Sequence, residues 1–221
     1  MELSLFDVVG PVMIGPSSSH TAGAARLAYV ARLIAGEFSH VTFGLHGSFA
    51  KTYKGHGTDR ALVAGALGLS EQDERLRTSF EMAEAVGLTY EFYITDVGDA
   101  HENTVLMTFY KTDGTTLEVM GSSLGGGRIV ITRIGDYPAE ITADAPTLVI
   151  IWEDQKGMVS RVSKILASHE INIGIMRLSR TGRGAGAIAC CIIEADSDLP
   201  GEIVKEVEAV PGVVSVRAIN G

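Results

Sequence analysis

The sequence predicts an α+β protein of two domains, and three observations support this. The chain has 221 residues, of which 46% are hydrophobic and 20% charged, as expected for a globular protein with a packed core. Residues 147–221 alternate strand-like and helix-like patterns, whereas the earlier part is less regular. Asp144-Ala145-Pro146 separates the two patterns, so we predict domains over residues 1–144 and 147–221.

The first domain shows helix starts, helix stops and β-rich runs. Helices are predicted over Thr21–Ala35 after a cap at Ser18 or Ser19, over Arg60–Leu67 after Thr58 or Asp59, and from Ser70-Glu71-Gln72-Asp73, which resembles a capping box, to about Val86. Strands are predicted over Leu3–Val8, Val41–Leu45, Tyr90–Thr95, Thr104–Tyr110, Thr116–Met120 and Arg128–Ile134. The segment His46–Gly57 is predicted to be a loop.

The second domain has the order βαββαβ. Its predicted elements are Thr147–Trp152, Met158–His169, Asn172–Ser179, Ala187–Ala195, Gly201–Val210 and Val213–Ala218. This order predicts one four-stranded sheet with two helices packed on it.

Composition excludes several classes of function. The net charge is −9 and no Lys/Arg cluster is present, which argues against a nucleic-acid or anionic-membrane partner. No apolar run reaches the length of a transmembrane helix, and the N-terminus lacks the pattern of a signal peptide. Cys190 and Cys191 are adjacent on a predicted strand, so they would point to opposite faces and are expected to be core residues. We therefore expect a reducing cytoplasm.

A hydroxyl-rich segment lies at the first predicted helix start. Ser17, Ser18, Ser19, His20 and Thr21 follow Gly15-Pro16. A helix N-terminus offers N–H groups and a positive dipole end, which suit a carboxylate or a phosphate. The alternative is a serine-rich cap with nothing bound.

A second histidine lies between glycines immediately before a helix. His56 follows Lys54-Gly55 and precedes Gly57. Glycines let backbone approach a ligand closely, and the helix N-terminus favours a neutral imidazole that can act as a base. The alternative is a flexible glycine loop with an exposed histidine.

Two further segments are less specific. His101 and Asn103 precede a strand and would share one face if strand geometry began early. Gly125 and Gly126 lie in a glycine run that could bind an anion through backbone N–H groups or form a bulged hairpin. The first domain contains no metal-binding spacing of His or Cys and no dinucleotide-binding glycine pattern. The chain is therefore predicted to be one half of an enzyme.

These motifs carry a family resemblance. Gly15–Thr21, Gly47-Ser48, Lys54–Asp59, His101-x-Asn103-Thr104 and Ser123–Gly127 together resemble the N-terminal domain of bacterial iron–sulfur-dependent L-serine dehydratases. Residues 147–221 resemble a ferredoxin-like ACT domain, a small-molecule regulatory module. The combination resembles the β subunits of the two-chain enzymes.

The resemblance implies a function shared between two chains. A partner α subunit would hold a [4Fe–4S] cluster whose open iron acts as a Lewis acid, no metal would bind to this chain, and L-serine would give pyruvate and ammonia. It implies His56 as the general base, and Lys54 of the same loop is taken as a second catalytic candidate. It implies substrate binding by Ser17, Ser18, Ser19, His20 and Thr21. Further candidates for substrate binding, from the other motifs of the resemblance, are Ser48, His101, Asn103, Gly125 and Gly126. Homodimerisation through the ACT or N-terminal domain is expected.

The sequence departs from related patterns at two places. Glu102 stands where the family has proline. In the ACT domain, Trp152 and Asp154 stand where phosphoglycerate dehydrogenases carry a histidine and an asparagine, while Asn172 is retained. The expected ligand loop is Asp154, Gly157 and Asn172. Three alternatives stay open for it: serine, another ligand, or no ligand if the domain serves only in dimerisation.

Two alternative functions remain at this point. A non-catalytic, amino-acid-sensing ACT protein would also lack cofactor ligands, but a binding pocket has no need for His56 as a base. A pyridoxal-phosphate enzyme could use Gly125–Gly127 as a phosphate loop, but the first domain is short for such a fold.

Overall fold

The computed structural model describes residues 15–182 and 186–220. The strand predicted over Leu3–Val8 lies outside the described residues. The chain divides between Gly135 and Asp136 into two compact units. The domain boundary predicted near Asp144 falls after this division, and the predicted bounds of the two domains stay a prediction.

The first unit contains four α-helices and five strands among its described residues. The helices are α1 (Ala24–Ala35), α2 (Gly47–Thr52), α3 (Thr58–Leu67) and α4 (Ser79–Val86), with a π-helical turn at Ser18–Gly23 and a 3₁₀ turn at Glu74–Thr78. The strands are β1 (His40–Leu45), β2 (Thr89–Ile94), β3 (Thr104–Tyr110), β4 (Thr116–Gly125) and β5 (Arg128–Ile134).

One end of the sheet gathers the segments that matter for function. The strands lie in the order β2-β1-β3-β4-β5, with β2 parallel to β1 and the other pairs antiparallel. Leu45 at the end of β1 is paired with Val105, and Thr104 at the start of β3 is paired with Ser122. Three segments therefore lie together at one end of the sheet: the residues after β1, the residues before β3 and the last residues of β4.

Helices α1 and α3 pack closely because Gly65 has no side chain. A Cβ built on Gly65 would lie 2.2 Å from the Ala25 carbonyl oxygen and 2.7 Å from the Tyr29 nitrogen. Glycine lowers the helix propensity of α3 by about 1 kcal/mol relative to alanine. The close approach of the two backbones explains why the residue is nevertheless suited to this position.

The structure corrects several predicted bounds in the first unit. The predicted loop His46–Gly57 contains helix α2, whose first N–H groups, from Ser48 and Phe49, donate to the Glu102 carbonyl at 2.7 and 3.4 Å. The Glu102 carbonyl is remote from α2 in the sequence, so no local sequence pattern predicts this helix. Strand β4 continues to Gly125 rather than ending at Met120, because its pairing with β5 extends to Arg128.

Two predicted helix starts are also corrected. The first helix is capped by Ser17 rather than by Ser18 or Ser19, because the Ser17 side chain accepts the hydrogen bond from the His20 N–H. The segment predicted as the third helix is a 3₁₀ turn followed by α4, and its cap is Asp73, whose side chain accepts from the Arg75 N–H.

The second unit confirms the βαββαβ order. After β6 (Tyr137–Ile141), which the sequence did not predict, come β7 (Thr147–Glu153), α5 (Met158–Ser168), β8 (Ile173–Arg180), β9 (Ile188–Ala195), α6 (Gly201–Glu208) and β10 (Val213–Ile219). Strands β10-β7-β9-β8 form an antiparallel sheet. Its core includes Trp152, Leu166, Cys191 and Ile203. The α+β class predicted for the chain is confirmed.

Cys190 and Cys191 are both buried in β9 and both free. Burial raises the pKa of the Cys190 thiol to about 11 and, together with its neighbour, that of Cys191 to about 12. We expect neither thiol to react with iodoacetamide at pH 8 in the folded chain, because the thiolate is the nucleophile. Mass spectrometry should find both cysteines carbamidomethylated only after unfolding; rapid labelling of the native chain would contradict the burial.

Candidate active site

The Ser17–Thr21 segment forms a π-helical turn that leads into α1. Ser17 satisfies three of its N–H groups: its hydroxyl accepts from His20 at 3.1 Å, and its carbonyl accepts from Thr21 and Ala22 at 3.0 and 3.3 Å. A carboxylate bound here would therefore meet hydroxyl groups rather than these three N–H groups.

His20 is held between hydroxyl groups on both sides of its ring. Nδ1 lies 3.1 Å from Ser19 Oγ and 3.5 Å from Ser17 Oγ, and Nε2 lies 3.0 Å from Ser48 Oγ. Buried Phe49 packs edge-on against the ring at 5.3 Å between centroids. A neutral imidazole can donate through one nitrogen and accept through the other, so this environment suits uncharged His20.

His56 lies beside His20, although 35 residues separate them in the chain. The ring centroids are 4.9 Å apart at an interplanar angle of 77°. The Thr21 hydroxyl donates to the His56 carbonyl at 3.0 Å, which ties the two helix-start segments together. His56 is exposed, whereas His20 is partly buried. The exposed ring is thus the member of the pair that a substrate can reach directly.

The environment of His20 lowers its pKa from 6.5, first by burial and then by repulsion from His56. We expect the NMR titration midpoint of His20 to lie below 6.5. In His56→Ala the midpoint should rise but stay below 6.5, because burial is the larger cause and remains.

This shift also affects stability. The unfolded chain binds a proton at His20 more readily than the folded chain does. The free energy of unfolding therefore decreases as the pH falls below 6.5. A His20 midpoint at or above 6.5 in the folded chain would contradict both statements.

Lys54 and Asp59 flank the His56 turn. The Lys54 ammonium is exposed and lies over the Tyr53 ring, 5.7 Å from its centroid. Asp59 is half-buried in the first turn of α3, and burial raises its carboxyl pKa despite the opposing effects of Arg60 and Lys54. The structure places Lys54 at the surface of the turn rather than against either histidine.

The segments around His101 and Gly125 join the site through backbone and hydroxyl groups. The carbonyl of Glu102, which stands between His101 and Asn103, accepts from the Ser48 N–H at 2.7 Å. The Gly126 N–H donates to the Ser18 hydroxyl at 3.3 Å. His101 is exposed, and its Nδ1 accepts from the Asn103 N–H at 3.1 Å. Both His101 and Asn103 precede β3, which begins at Thr104, so the prediction that they share one face of a strand is wrong.

Among the residues that the structure describes, two buried side-chain oxygen atoms near the site have no hydrogen-bond partner. They are Thr58 Oγ1, at the start of α3, and Asn103 Oδ1. A cavity of about 410 Å³ opens beside Thr21 and Gly57, lined also by Arg60 and Arg77, but neither His20 nor His56 lines it.

Phe49 and Ser123 contribute to the site although neither was selected as a site residue from the sequence. Phe49 packs on His20, and the Ser123 hydroxyl donates to the Ser19 carbonyl at 2.9 Å. The Ser-Leu-Gly-Gly-Gly run was a usable signal for Ser123. A lone phenylalanine after Gly47-Ser48 offered no such signal.

The predicted ACT ligand loop is occupied by internal contacts. Asp154 lies 3.4 Å from the Arg180 guanidinium, and the Asn172 amide donates to the Asp196 carboxylate at 2.5 Å. Gly157 has a φ of 86° and precedes α5. Trp152 is 1% exposed and belongs to the core. Ligand binding by Asp154, Gly157 and Asn172 stays a prediction.

Among residues 15–182 and 186–220, no group of three or more His, Cys, Asp or Glu side chains is arranged to hold a metal ion. Within the same residues, no helix is both long and apolar enough to cross a membrane. Cys190 and Cys191 are adjacent on one strand of the second unit, so their thiols point to opposite faces of the sheet and cannot bind one iron–sulfur cluster together.

Known proteins support the assignment that these motifs suggested. Residues 4–89 match the serine dehydratase beta chain family, and residues 147–212 match the ACT domain. The sequence is 40% identical over 217 residues, 98% of this chain and 97% of the relative, to a probable L-serine dehydratase beta chain of Bacillus subtilis (strain 168). The chain belongs to the L-serine dehydratase beta chains.

Other relatives agree with this family. An L-serine dehydratase beta chain of Peptoniphilus asaccharolyticus is 46% identical over 174 residues, covering 78% of each chain. L-serine dehydratase TdcG of Escherichia coli (strain K12) is 32% identical over 152 residues, which cover 58% of this chain and 33% of TdcG. The resemblance predicted from the sequence is confirmed, and the chain is a serine dehydratase subunit rather than a stand-alone sensor.

Proposed function

We propose that this chain supplies the base and the carboxylate-binding groups of an L-serine ammonia-lyase that forms pyruvate and ammonia. The observation that carries the proposal is the His20–His56 pair, with centroids 4.9 Å apart, at the meeting point of the hydroxyl-rich turn and the glycine-flanked turn. A dehydratase must remove a proton from carbon and hold a carboxylate, and these two turns offer those two capacities.

We assign proton removal to His56. Its ring is exposed, and its backbone is fixed by Thr21, so a substrate bound at the hydroxyl-rich turn would lie beside it. His56 would take the α-proton of L-serine while the C–O bond breaks. The departing hydroxide would receive a proton from the His56 imidazolium, which gives water and restores the neutral base. The resulting aminoacrylate tautomerises to an imine, and water converts the imine to pyruvate and ammonia.

We assign carboxylate binding to hydroxyl groups around His20. Ser17, Ser18 and Ser19 are partly exposed, and their neighbour Ser48 is held at 3.0 Å from His20 Nε2. Hydroxyl groups can rotate to donate to an anion, so they keep this capacity although Ser17 already caps the turn. Neutral His20 fixes the Ser19 and Ser48 hydroxyls without adding a charge.

We assign the rest of the site to a partner. The name of the beta-chain relatives implies an alpha chain, and we propose that it holds a [4Fe–4S] cluster and covers the open face that carries His56. We propose that the assembly acts in the cytoplasm and that the chain also self-associates, which light scattering of the purified chain can measure.

The decisive experiment is anaerobic reconstitution. The chain is purified alone and together with the product of the adjacent gene, and pyruvate formation from L-serine is measured in each sample. Activity in the mixture alone is expected. If a cluster-loaded pair stays inactive, the proposed lyase function is wrong; if the chain alone turns over serine, the assignment of the remaining groups to a partner is wrong.

A further inference from the structure

We propose that Ser123 is a positioning residue for His20, and that its hydroxyl stabilises the π-helical turn at Ser18–Gly23, which precedes α1 and carries His20. This inference rests on the role proposed above for the histidine pair. Ser123 belongs to β4, and its hydroxyl donates to the carbonyl of Ser19, the residue immediately before His20, at 2.9 Å.

A hydroxyl bonded to a helical carbonyl competes with the backbone N–H that would otherwise bond it. Such an insertion is a recognised cause of local widening or bending of a helix, and π-turns are frequent at functional sites. Each residue of an α-helix rotates the chain by about 100°. A π-helical turn contains about one residue more than an α-helical turn. It therefore changes the direction of Ser18, Ser19 and His20 relative to α1.

Gly23 provides the space that Ser123 needs. A Cβ built on Gly23 would lie 1.9 Å from Ser123 Oγ and 2.9 Å from Ser123 Cβ. The backbone of Gly23 has φ −62° and ψ −38°, an ordinary helical conformation that any residue adopts. Glycine is unfavourable in a helix relative to alanine. The approach of Ser123, rather than backbone conformation, is what requires glycine here.

Burial distinguishes positioning from substrate contact. Ser123 is 0% exposed, and its N–H donates to the Asn103 carbonyl at 3.0 Å, so the residue is fixed on the sheet. The adjacent strand end reaches the same turn again, through the bond from the Gly126 N–H to the Ser18 hydroxyl. Ser123 thus transmits the geometry of the sheet edge to His20 without reaching the substrate.

The test uses Ser123→Ala and Ser123→Cys in the reconstituted two-chain enzyme. Cysteine fills the position with a larger and weakly donating thiol, so it serves as a second variant if the alanine variant folds poorly. Both variants are expected to lower kcat by about 10- to 100-fold, since displacement of a catalytic constellation by about 1 Å has effects of this size. The NMR titration midpoint of His20 should also change, a readout that a purely structural role would leave in place.

Ser122→Ala is the matched control. Ser122 is a neighbouring buried serine whose hydroxyl bonds to Thr104 at 2.7 Å rather than to the π-helical turn. It should keep kcat and the His20 midpoint close to wild type. Folding of every variant is checked by circular dichroism.

The outcomes separate the two proposals. If the wild-type pair does not produce pyruvate, the proposed function fails. If it does, and a folded Ser123→Cys or Ser123→Ala variant retains both kcat and the His20 midpoint within about twofold of wild type, or Ser122→Ala loses as much as they do, only the positioning role is overturned.

Discussion

His56→Ala should lower kcat of the reconstituted enzyme by about 10²–10⁴-fold, the usual contribution of a general base. The ring of His56 is the exposed member of the histidine pair, and its backbone carbonyl is held by the Thr21 hydroxyl at 3.0 Å. Removal of the imidazole leaves the serine hydroxyls that would bind substrate, so KM should change less than kcat. Steady-state kinetics of pyruvate formation measure both.

His40→Ala is the control for this variant. His40 begins β1, at the opposite end of that strand from the site, and its Nδ1 bonds to the Thr89 hydroxyl at 2.8 Å. Its loss should leave kcat near wild type, and iron content of the partner should be the same in both variants. If His56→Ala turned over serine at nearly the wild-type rate, His56 would not be the base, and Lys54 or His20 would be the next candidates.

Residues 147–219 of the second unit could be predicted almost completely from the sequence because their signals are local, whereas strand β6 before them was missed. Each helix has an apolar face at helical spacing, and stops such as Pro211-Gly212 separate the elements. Strand β9 was predicted to begin at Ala187 and begins at Ile188. Local pattern and tertiary pairing agree there, so the sequence alone was sufficient.

The first unit was harder because some of its structure depends on remote partners. Helix α2 has fewer than two turns and is started by the carbonyl of Glu102, more than 50 residues away in the chain. The π-helical turn depends in the same way on Ser123, which lies on β4. No periodicity within either segment contains that information.

The candidate site shows the same division. The candidate residues His20 and His56 could be predicted from the sequence, because histidine next to several hydroxyls or between glycines is uncommon in ordinary turns. The spatial proximity of these residues could not be predicted from the sequence. His20 Nε2 lies 3.0 Å from Ser48 Oγ because the residues after β1 and the residues before α1 lie at the same end of the sheet. Lys54 was selected with His56 by adjacency in the sequence, yet its side chain lies over Tyr53 at the surface.

Trp152→Ala should destabilise the second unit by about 3–5 kcal/mol, as for other large aromatic residues removed from a core. The indole is 1% exposed and packs in the cluster that contains Leu166, Cys191 and Ile203. Urea unfolding followed by far-UV circular dichroism measures the loss. Fluorescence cannot be used for the variant, because Trp152 is the only tryptophan in the chain.

Val214→Ala provides the contrast within the same sheet, since Val214 is 62% exposed in β10 and should cost no more than about 0.5 kcal/mol. The comparison also bears on ligand binding. The sequence comparison with phosphoglycerate dehydrogenases predicted Trp152 at a ligand-loop position, whereas the structure buries its side chain in the core. A loss below about 1 kcal/mol for Trp152→Ala would mean that the indole is not part of a packed core. A large loss of stability would mean that Trp152 is a core residue and that the polar groups of the loop are Asp154 and Asn172. A ligand would then have to compete with Arg180 for Asp154 and with Asp196 for Asn172.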